Sequence, residues 1–518
     1  MDKTTGRTIR NVSIASAAVS ICGIVFQVLF GAVGSYAFGD SVATYAWTIG
    51  LFLSGMGLGS LASEKIIKNL ASRFVQVEFG VALTGGTSSF FMFMILAYFG
   101  VPTAEFYLRL VTFGVGALTG LELPILIRKA QEMGQTVNKS TSRILFADYA
   151  GSLAGAIAFV LILRPWLGMV KTAFLIGTVN ALIAIWVTYL FRDELKLRRW
   201  VYQGTGIAIV VLLVAGFLVG DKYTAGFEQK MYADPIVASI QTKYQKIVLT
   251  KRANDVRLYL NGNIQFSSSD QYRYHEALVD PIMSLTPSHK SILVVGGGDG
   301  IAVNRLLKYK GVRHITLVDL DPKMTHFAMT NPYMTKINHK SLLNPKVTVI
   351  HEDAFKYLGT HHSHLYDDII IDLPDPNNES LNKLYTRTFY TFVRNHLEPN
   401  GYMVCQSTSP LFARKAFWTI VDTVHSVGLH ARGYHVDVPS FGDWGFTIAS
   451  RQPIDISKMH LEIPTKFLTQ ALLPKMFVFG KDENSHMLVN GKPVRWVPNT
   501  LNHPILLRYY NDAWKYYH

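Results

Sequence analysis

Five aspartates stand where apolar runs end. Asp299 sits inside "VVGGGDG", Asp319 closes "ITLVD", Asp353 follows "TVIHE", and Asp372 and Asp375 flank Leu373-Pro374 in "DIIIDLPDP". A carboxylate so placed can accept from a ribose diol or an adenine amino group, hold an ammonium, or take a proton. Asp319, about twenty residues after the glycines, suits the diol. Asp353 suits the amino group. Asp372 and Asp375 lie in a loop stiffened by Pro374 and Pro376, and suit an ammonium and a base. Asp321, just before Pro322, is read as a helix cap.

Gly296, Gly297 and Gly298 mark a turn after a buried strand, where the backbone can come close to a nucleotide. The dinucleotide fingerprint G-x-G-x-x-G fits poorly. Ile301 stands at the third glycine, and Asp299 lies where a diphosphate would sit. Repulsion there argues against NAD and for a ligand with positive charge, such as a sulfonium nucleoside.

A third set precedes the glycines: Gln245, Gln265, Asp270, Tyr274, His275 and Glu276. On a helix the adjoining His275 and Glu276 diverge by about 100°. Val279 occupies the position where a zinc-binding HExxH would place its second histidine. The 2 cysteines, Cys22 and Cys405, are far apart and supply neither a disulfide framework nor a zinc site. No metal is expected.

Elements must bring these groups together. Apolar runs near 291–296, 314–319, 346–351, 368–373 and 401–406 read as strands with helices between them. That alternation predicts an α/β Rossmann-like domain, a mostly parallel sheet with its ligand at the carboxyl ends of the strands. Residues 234–267 read as short strands with turns at Asn254-Asp255 and Asn261-Gly262, and 271–285 as a helix.

The rest of the chain is of another kind. Hydrophobic residues make up 49% and charged residues 17% of 518 positions, too apolar for an ordinary soluble enzyme. Seven stretches, near 12–37, 43–63, 74–99, 104–127, 144–165, 170–191 and 202–220, approach the ~20 residues a membrane span needs. Gly55 with Gly59, and Gly151 with Gly155, have the spacing that lets such helices approach closely. The expected order is an all-α transmembrane bundle over 1–220, a small β subdomain over 221–270, the Rossmann-like domain over 271–450, and a tail over 451–518 to which no chemistry is assigned. No cleavable signal peptide is evident.

The net charge of +14 fits membrane topology better than nucleic acid, because the basic residues cluster in alternate links. Lys3, Arg7 and Arg10 precede the first stretch; Lys65, Lys68 and Arg73 follow the second; Arg128, Lys129, Lys139 and Arg143 the fourth; Arg192, Lys196, Arg198 and Arg199 the sixth. The positive-inside rule then makes the N-terminus cytoplasmic, and seven spans carry everything after residue 220 to the opposite side. Glu78, Glu122 and Asp148 fall within the apolar stretches, where ionisable residues are costly and often functional.

Together "YQKI", "LYLNGNIQFSSSDQYRYHEALVDP", "VVGGGDG", "VDLDP", "HEDAF" and "DIIIDLPDP" resemble the spermidine synthase (polyamine aminopropyltransferase) family over roughly residues 240–450. The whole chain looks like its bacterial subgroup with an N-terminal multi-span membrane domain. The resemblance implies that Gln245, Gly296, Gly298, Asp319, Asp353 and Ala354 hold decarboxylated S-adenosylmethionine or its product methylthioadenosine. It implies that Tyr274, His275, Asp299, Asp372, Leu373, Pro374 and Asp375 hold the amine and the aminopropyl tail, with Asp372 as proton acceptor. The sequence departs from the family pattern at Asp319, usually Glu; at Asn377-Asn378-Glu379, where Gly-Pro is usual; and at Phe441, where many relatives have tyrosine.

The implied reaction is aminopropyl transfer to a diamine, putrescine giving spermidine, with the decarboxylated donor as co-substrate and no permanent cofactor. The alternatives are an S-adenosylmethionine-dependent amine methyltransferase and a polyamine transporter or sensor with a non-catalytic domain. Expected partners are the diamine, the sulfonium nucleoside, the lipid bilayer of the inner cell membrane, and a second copy in a homo-oligomer, a dimer; nucleic acid is not expected.

Overall fold

The computed structural model describes residues 3–38, 41–134, 136–195, 198–361, 364–489, 492–494 and 496–515; Lys196 lies outside them. The chain forms two compact units, residues 1–233 and 234–518.

The first unit is helical: α1 (Lys3–Phe38), α2 (Ser41–Ala62), α3 (Leu70–Phe99), α4 (Val101–Glu132), α5 (Val137–Ala158), α6 (Arg164–Leu190) and α7 (Arg198–Lys230) are its long helices. Counted as continuous helical runs, 6 are long and apolar enough to cross a membrane, but one of these, Thr141–Leu190, has 50 residues. At 1.5 Å per residue it would reach about 75 Å, more than twice a ~30 Å hydrocarbon core. Gly168, at φ 70°, breaks it inside α6, about one turn past its start. The last helix runs to Lys230, past the expected break at 220. Beyond Gly220 the sequence turns polar but keeps helix-forming Ala225, Glu228 and Gln229, so the helix outlasts its apolar part.

Close contacts fix the direction of each helix. Gly31 and Gly34 of α1 meet Tyr45 and Thr44, so α2 runs back along α1. Phe26 meets Gly85, and Tyr36 packs on Phe93, so α3 is parallel to α1. Gly34 meets Leu108 and Gly23 meets Thr119, so α4 is antiparallel to α1. Gly151 and Gly155 lie against the α1 backbone at Ala17 and Ile21, so α5 is parallel to it. Gly177 meets Gly86 while Asn180 meets Glu78, which reverses α6 against α3. Gly206 meets Ile185 and Gly216 meets Phe174, which reverses α7 again. The seven helices therefore alternate, and the chain leaves the bundle at the end opposite the start of α1. Gly55 and Gly59 of α2 press on the α4 backbone at Phe113 and Ala117, so both glycine pairs picked out by spacing sit at helix contacts.

The second unit opens with an antiparallel sheet, β1 (Ile236–Gln241), β2 (Lys246–Arg252), β3 (Asp255–Leu260) and β4 (Asn263–Ser267), and then α8 (Gln271–Leu285). A 7-stranded sheet follows: β5 (Ser291–Gly296), β6 (His314–Asp319), β7 (Val347–His351), β8 (Tyr366–Asp372), β9 (Leu397–Gln406), β10 (His430–Val438) and β11 (Gly442–Ser450). Its order is β10-β11-β9-β8-β5-β6-β7, parallel from β9 to β7 and antiparallel at β10 and β11. The order reverses between β5 and β8, where Gly296 pairs with Asp372. A doubly wound sheet opens its ligand crevice at such a point.

The tail belongs to this unit. Both carboxylate oxygens of buried Glu276 on α8 accept from the backbone N–H groups of Lys466, Phe467 and Leu468 at 2.7–3.0 Å. Asn499 is fully buried and donates to Asn382 and to the Tyr385 carbonyl. A final helix, α9 (Ile505–Trp514), buries Leu506 in the core on one face of the sheet.

Candidate active site

The glycine loop is shaped by what it must pass. Gly296 has φ 76°, a conformation costly for residues with a Cβ. A side chain at Gly298 would collide with the Asp319 carboxylate. The Gly297 N–H donates to the Asp372 carbonyl at 2.9 Å, tying the loop to the end of β8. The segment "GGGDG" thus runs between two acids, with its own Asp299 between them.

Asp372 is the centre of the constellation. Its Oδ1 accepts from the Tyr274 phenol on α8 at 2.7 Å. Tyr274 is held by rings on three sides: His275 at 5.0 Å, Phe441 at 6.0 Å and Phe446 at 5.3 Å between centroids. Burial raises the Asp372 pKa, partly offset by His275 and the Tyr274 phenol. His275 Nδ1 meets the Gln271 carbonyl at 2.8 Å, and burial lowers its pKa, favouring the neutral ring.

The neighbouring carboxyls are shifted the same way. Asp299 is pushed up to about 7, by burial first and then by the charge of Asp372; the Ile301 N–H, 2.8 Å away, opposes this. Asp319 is pushed up to about 6 by burial, against N–H donors from Asp321 and Gly298. Several carboxyls held above their usual range, with a neutral histidine beside them, make a cleft that gains by admitting positive charge.

Asp375 belongs to a separate network. Gln406 Nε2 donates to its Oδ1 and the Thr408 hydroxyl to its Oδ2, both at 3.2 Å, and the Tyr510 phenol of α9 also donates to it. Burial still pushes Asp375 up to about 6. Gln406 also donates to the Leu373 carbonyl at 2.7 Å, and the Tyr385 hydroxyl to the Pro374 carbonyl at 3.0 Å. The Asp372–Asp375 loop is therefore fixed through its backbone as well as its prolines.

Gln245 and Asp353 are each held by further polar contacts. Gln245 Nε2 donates to Asp321 Oδ2 at 3.1 Å, and the Thr242 hydroxyl to the same oxygen at 2.7 Å. Asp321 also accepts from the Lys323 N–H, so it is the helix cap expected and an anchor for Gln245 as well. Asp353 caps the helix that begins at Ala354, through the Phe355 N–H at 2.9 Å, and pairs with Lys383 Nζ at 2.5 Å. Asp270 and Glu276 are structural: Asp270 binds Ser440, and Glu276 binds the tail. Gln265 donates to the carbonyls of Asn263 and Ile264 on its own strand.

Gln406, Tyr385, Lys383 and Tyr510 are site residues that the sequence reading does not pick out. Gln406 was open to inspection, as a polar residue ending the fifth parallel strand. Tyr510 carried no local signal, lying far along the chain in a tail without a motif.

Comparison with known proteins bears on the whole chain. The spermine/spermidine synthase domain matches residues 271–458. A polyamine aminopropyltransferase of Oceanobacillus iheyensis is 50% identical over 503 residues, 97% of each chain. One of Leptospira interrogans is 38% identical over 504 residues, 96% of this chain and 97% of that one. A solved spermidine synthase in complex with the transition state analogue AdoDATO is 22% identical with a TM-score of 0.45, over 48% of this chain and 86% of that one.

Proposed function

The chain belongs to the spermidine synthase family of polyamine aminopropyltransferases, and from that premise we propose that it transfers the aminopropyl group of decarboxylated S-adenosylmethionine to putrescine. The observation that carries this reading is the Tyr274–Asp372 hydrogen bond at the sheet's reversal point, among carboxyls that favour cationic ligands.

In this reading Gln245, Asp319, Asp353 and Ala354 hold the nucleoside, while Gly296 and Gly298 let it approach the strand ends. Asp299 faces the aminopropyl ammonium. Asp375 holds the distal ammonium of the diamine, and Tyr274 and His275 shape the cleft around the near one. The near nitrogen must be neutral to attack. Asp372 orients it and accepts its proton as the N–C bond forms. The C–S bond breaks, its electron pair goes to sulfur, and methylthioadenosine leaves uncharged. Ordinary S-adenosylmethionine carries an added carboxylate, which Asp299 and Asp372 would repel. In this reading the activity sits at a membrane, which is supported by 6 helical runs long and apolar enough to cross one.

Purified full-length protein supplied with putrescine and each donor in turn tests the reading. Spermidine and methylthioadenosine from the decarboxylated donor are expected; methylated putrescine from S-adenosylmethionine would overturn it.

A further inference from the structure

The helical unit contains polar groups that aminopropyl transfer does not use. Glu78, Glu122, Asp148 and Asn180 lie on α3, α4, α5 and α6, about eight to eleven residues from one end of each helix. Because the helices alternate, those ends share the side of the bundle where α1 begins. The four residues therefore form one layer about 12–16 Å deep.

The layer is rich in acceptors and poor in donors. Glu78 and Asn180 are fully buried, and Glu122 is 6% exposed. Asn180 Nδ2 donates to the Glu78 carbonyl at 2.9 Å and to its Oε2 at 2.8 Å. The Ser20 hydroxyl donates to Asp148. Glu122 lies within electrostatic reach of both Glu78 and Asp148. Glu78 Oε1, Glu122 Oε1 and Asn180 Oδ1 are buried without any hydrogen-bond partner among the described residues.

Two nearby cations are engaged elsewhere. Arg128 is taken up by the carbonyls of Ser63 and Ile66 and the Ser63 hydroxyl. Lys129 pairs with Glu132 and Glu194. Among the described residues no lysine or arginine forms a salt bridge with Glu78, Glu122 or Asp148. Buried acids in a membrane bundle commonly mark a pathway or pair with one another. Here the carboxamide oxygen of Asn180 is also left open, and a ligand that brings donors would satisfy it.

We propose that this layer binds one protonated primary amine. An alkylammonium offers three N–H donors and no acceptor, and three buried oxygens lack a donor. A divalent metal would ask for about six oxygens or more.

Equilibrium dialysis of detergent-purified full-length protein against radiolabelled putrescine tests the proposal. Putrescine as probe rests on the function proposed above, but the readout is a difference. Glu122→Gln should bind one equivalent fewer than the wild type, whether or not the C-terminal cleft contributes another. Its transfer activity should stay within about twofold. Asn180→Leu should lose the same equivalent, and carries the measurement if Glu122→Gln does not fold. Equal stoichiometry in wild type and variant would overturn the proposal. So would displacement of that equivalent by sodium chloride as readily as by n-propylamine, which would assign the layer to an inorganic cation.

Discussion

The Tyr274 phenol reaches Asp372 at 2.7 Å from a helix that precedes the sheet, across 98 positions of sequence. A hydrogen bond to a charged group contributes about 1.5–3 kcal/mol. Tyr274→Phe is therefore expected to lower kcat/KM by about 10- to 100-fold while the ring remains packed against Phe446. Steady-state kinetics checks this, and an unchanged kcat/KM would remove the phenol from the mechanism.

Asp372→Asn keeps the side chain's size and its ability to accept from Tyr274, but cannot take a proton. General-base losses run to about 10²–10⁴ in rate. A fall of at least 100-fold in kcat is expected, with methylthioadenosine binding intact by calorimetry. Full activity would refute the proton-acceptor role.

Tyr510→Phe isolates the contribution of the tail. The phenol pulls the Asp375 pKa down against burial. Without it Asp375 titrates higher, so its carboxylate form is scarcer near pH 6 than near pH 8.5. KM for the diamine should rise by about 10-fold at pH 6.5 and by less at pH 8.5, with kcat little changed. A pH-independent effect, or one confined to kcat, would contradict a role through Asp375. Phe441 lacks the hydroxyl that a tyrosine would bring, and Tyr510 brings one to Asp375.

Asp299 makes a pH-dependent contribution to stability. Its folded value of about 7 lies above the ~3.9 of an unfolded aspartate. The folded state therefore holds the extra proton between those values. This contribution is present at low pH and is lost as pH rises through about 7. In ligand-free protein, Asp299→Asn should raise the melting temperature of the C-terminal unit more at pH 8 than at pH 5.5. The reverse order would show that another group carries the shift.

The alternation of seven helices predicts opposite membrane faces for the two ends of the helical unit. A phosphatase fusion and a fluorescent fusion, each placed in turn before α1 and after α9, should give opposite readings at the two positions. Matching readings would mean that one helix does not cross.

What is legible in the sequence is local. Asp319 and Asp372 end apolar strands, Asp353 and Asp375 follow strand ends within three residues, and the glycines beside Asp299 mark a turn that backbone geometry demands. Those features survive in the fold because strand, turn and acid are consecutive in the chain. The long apolar helices are legible for the same reason, as continuous apolar runs. The helix end at Lys230 escapes such a reading because helix propensity continues where apolarity stops. Gln406 and Tyr510 escape it because their meaning lies in contacts with Asp375, which no local pattern announces. Lys383 reaches Asp353 from a short helical segment that reads as part of a loop.

Glu276 is buried early in the second unit, yet its three backbone donors lie 190 to 192 residues further along the chain. At ~5–20 residues per second of synthesis, about 10–40 s separate the carboxylate from its partners. During that interval α8, which also carries Tyr274 and His275, waits for the chain that will cover its first half. The cover over the first half of α8, the helix that carries Tyr274, is thus completed only once residues 466–468 have been made.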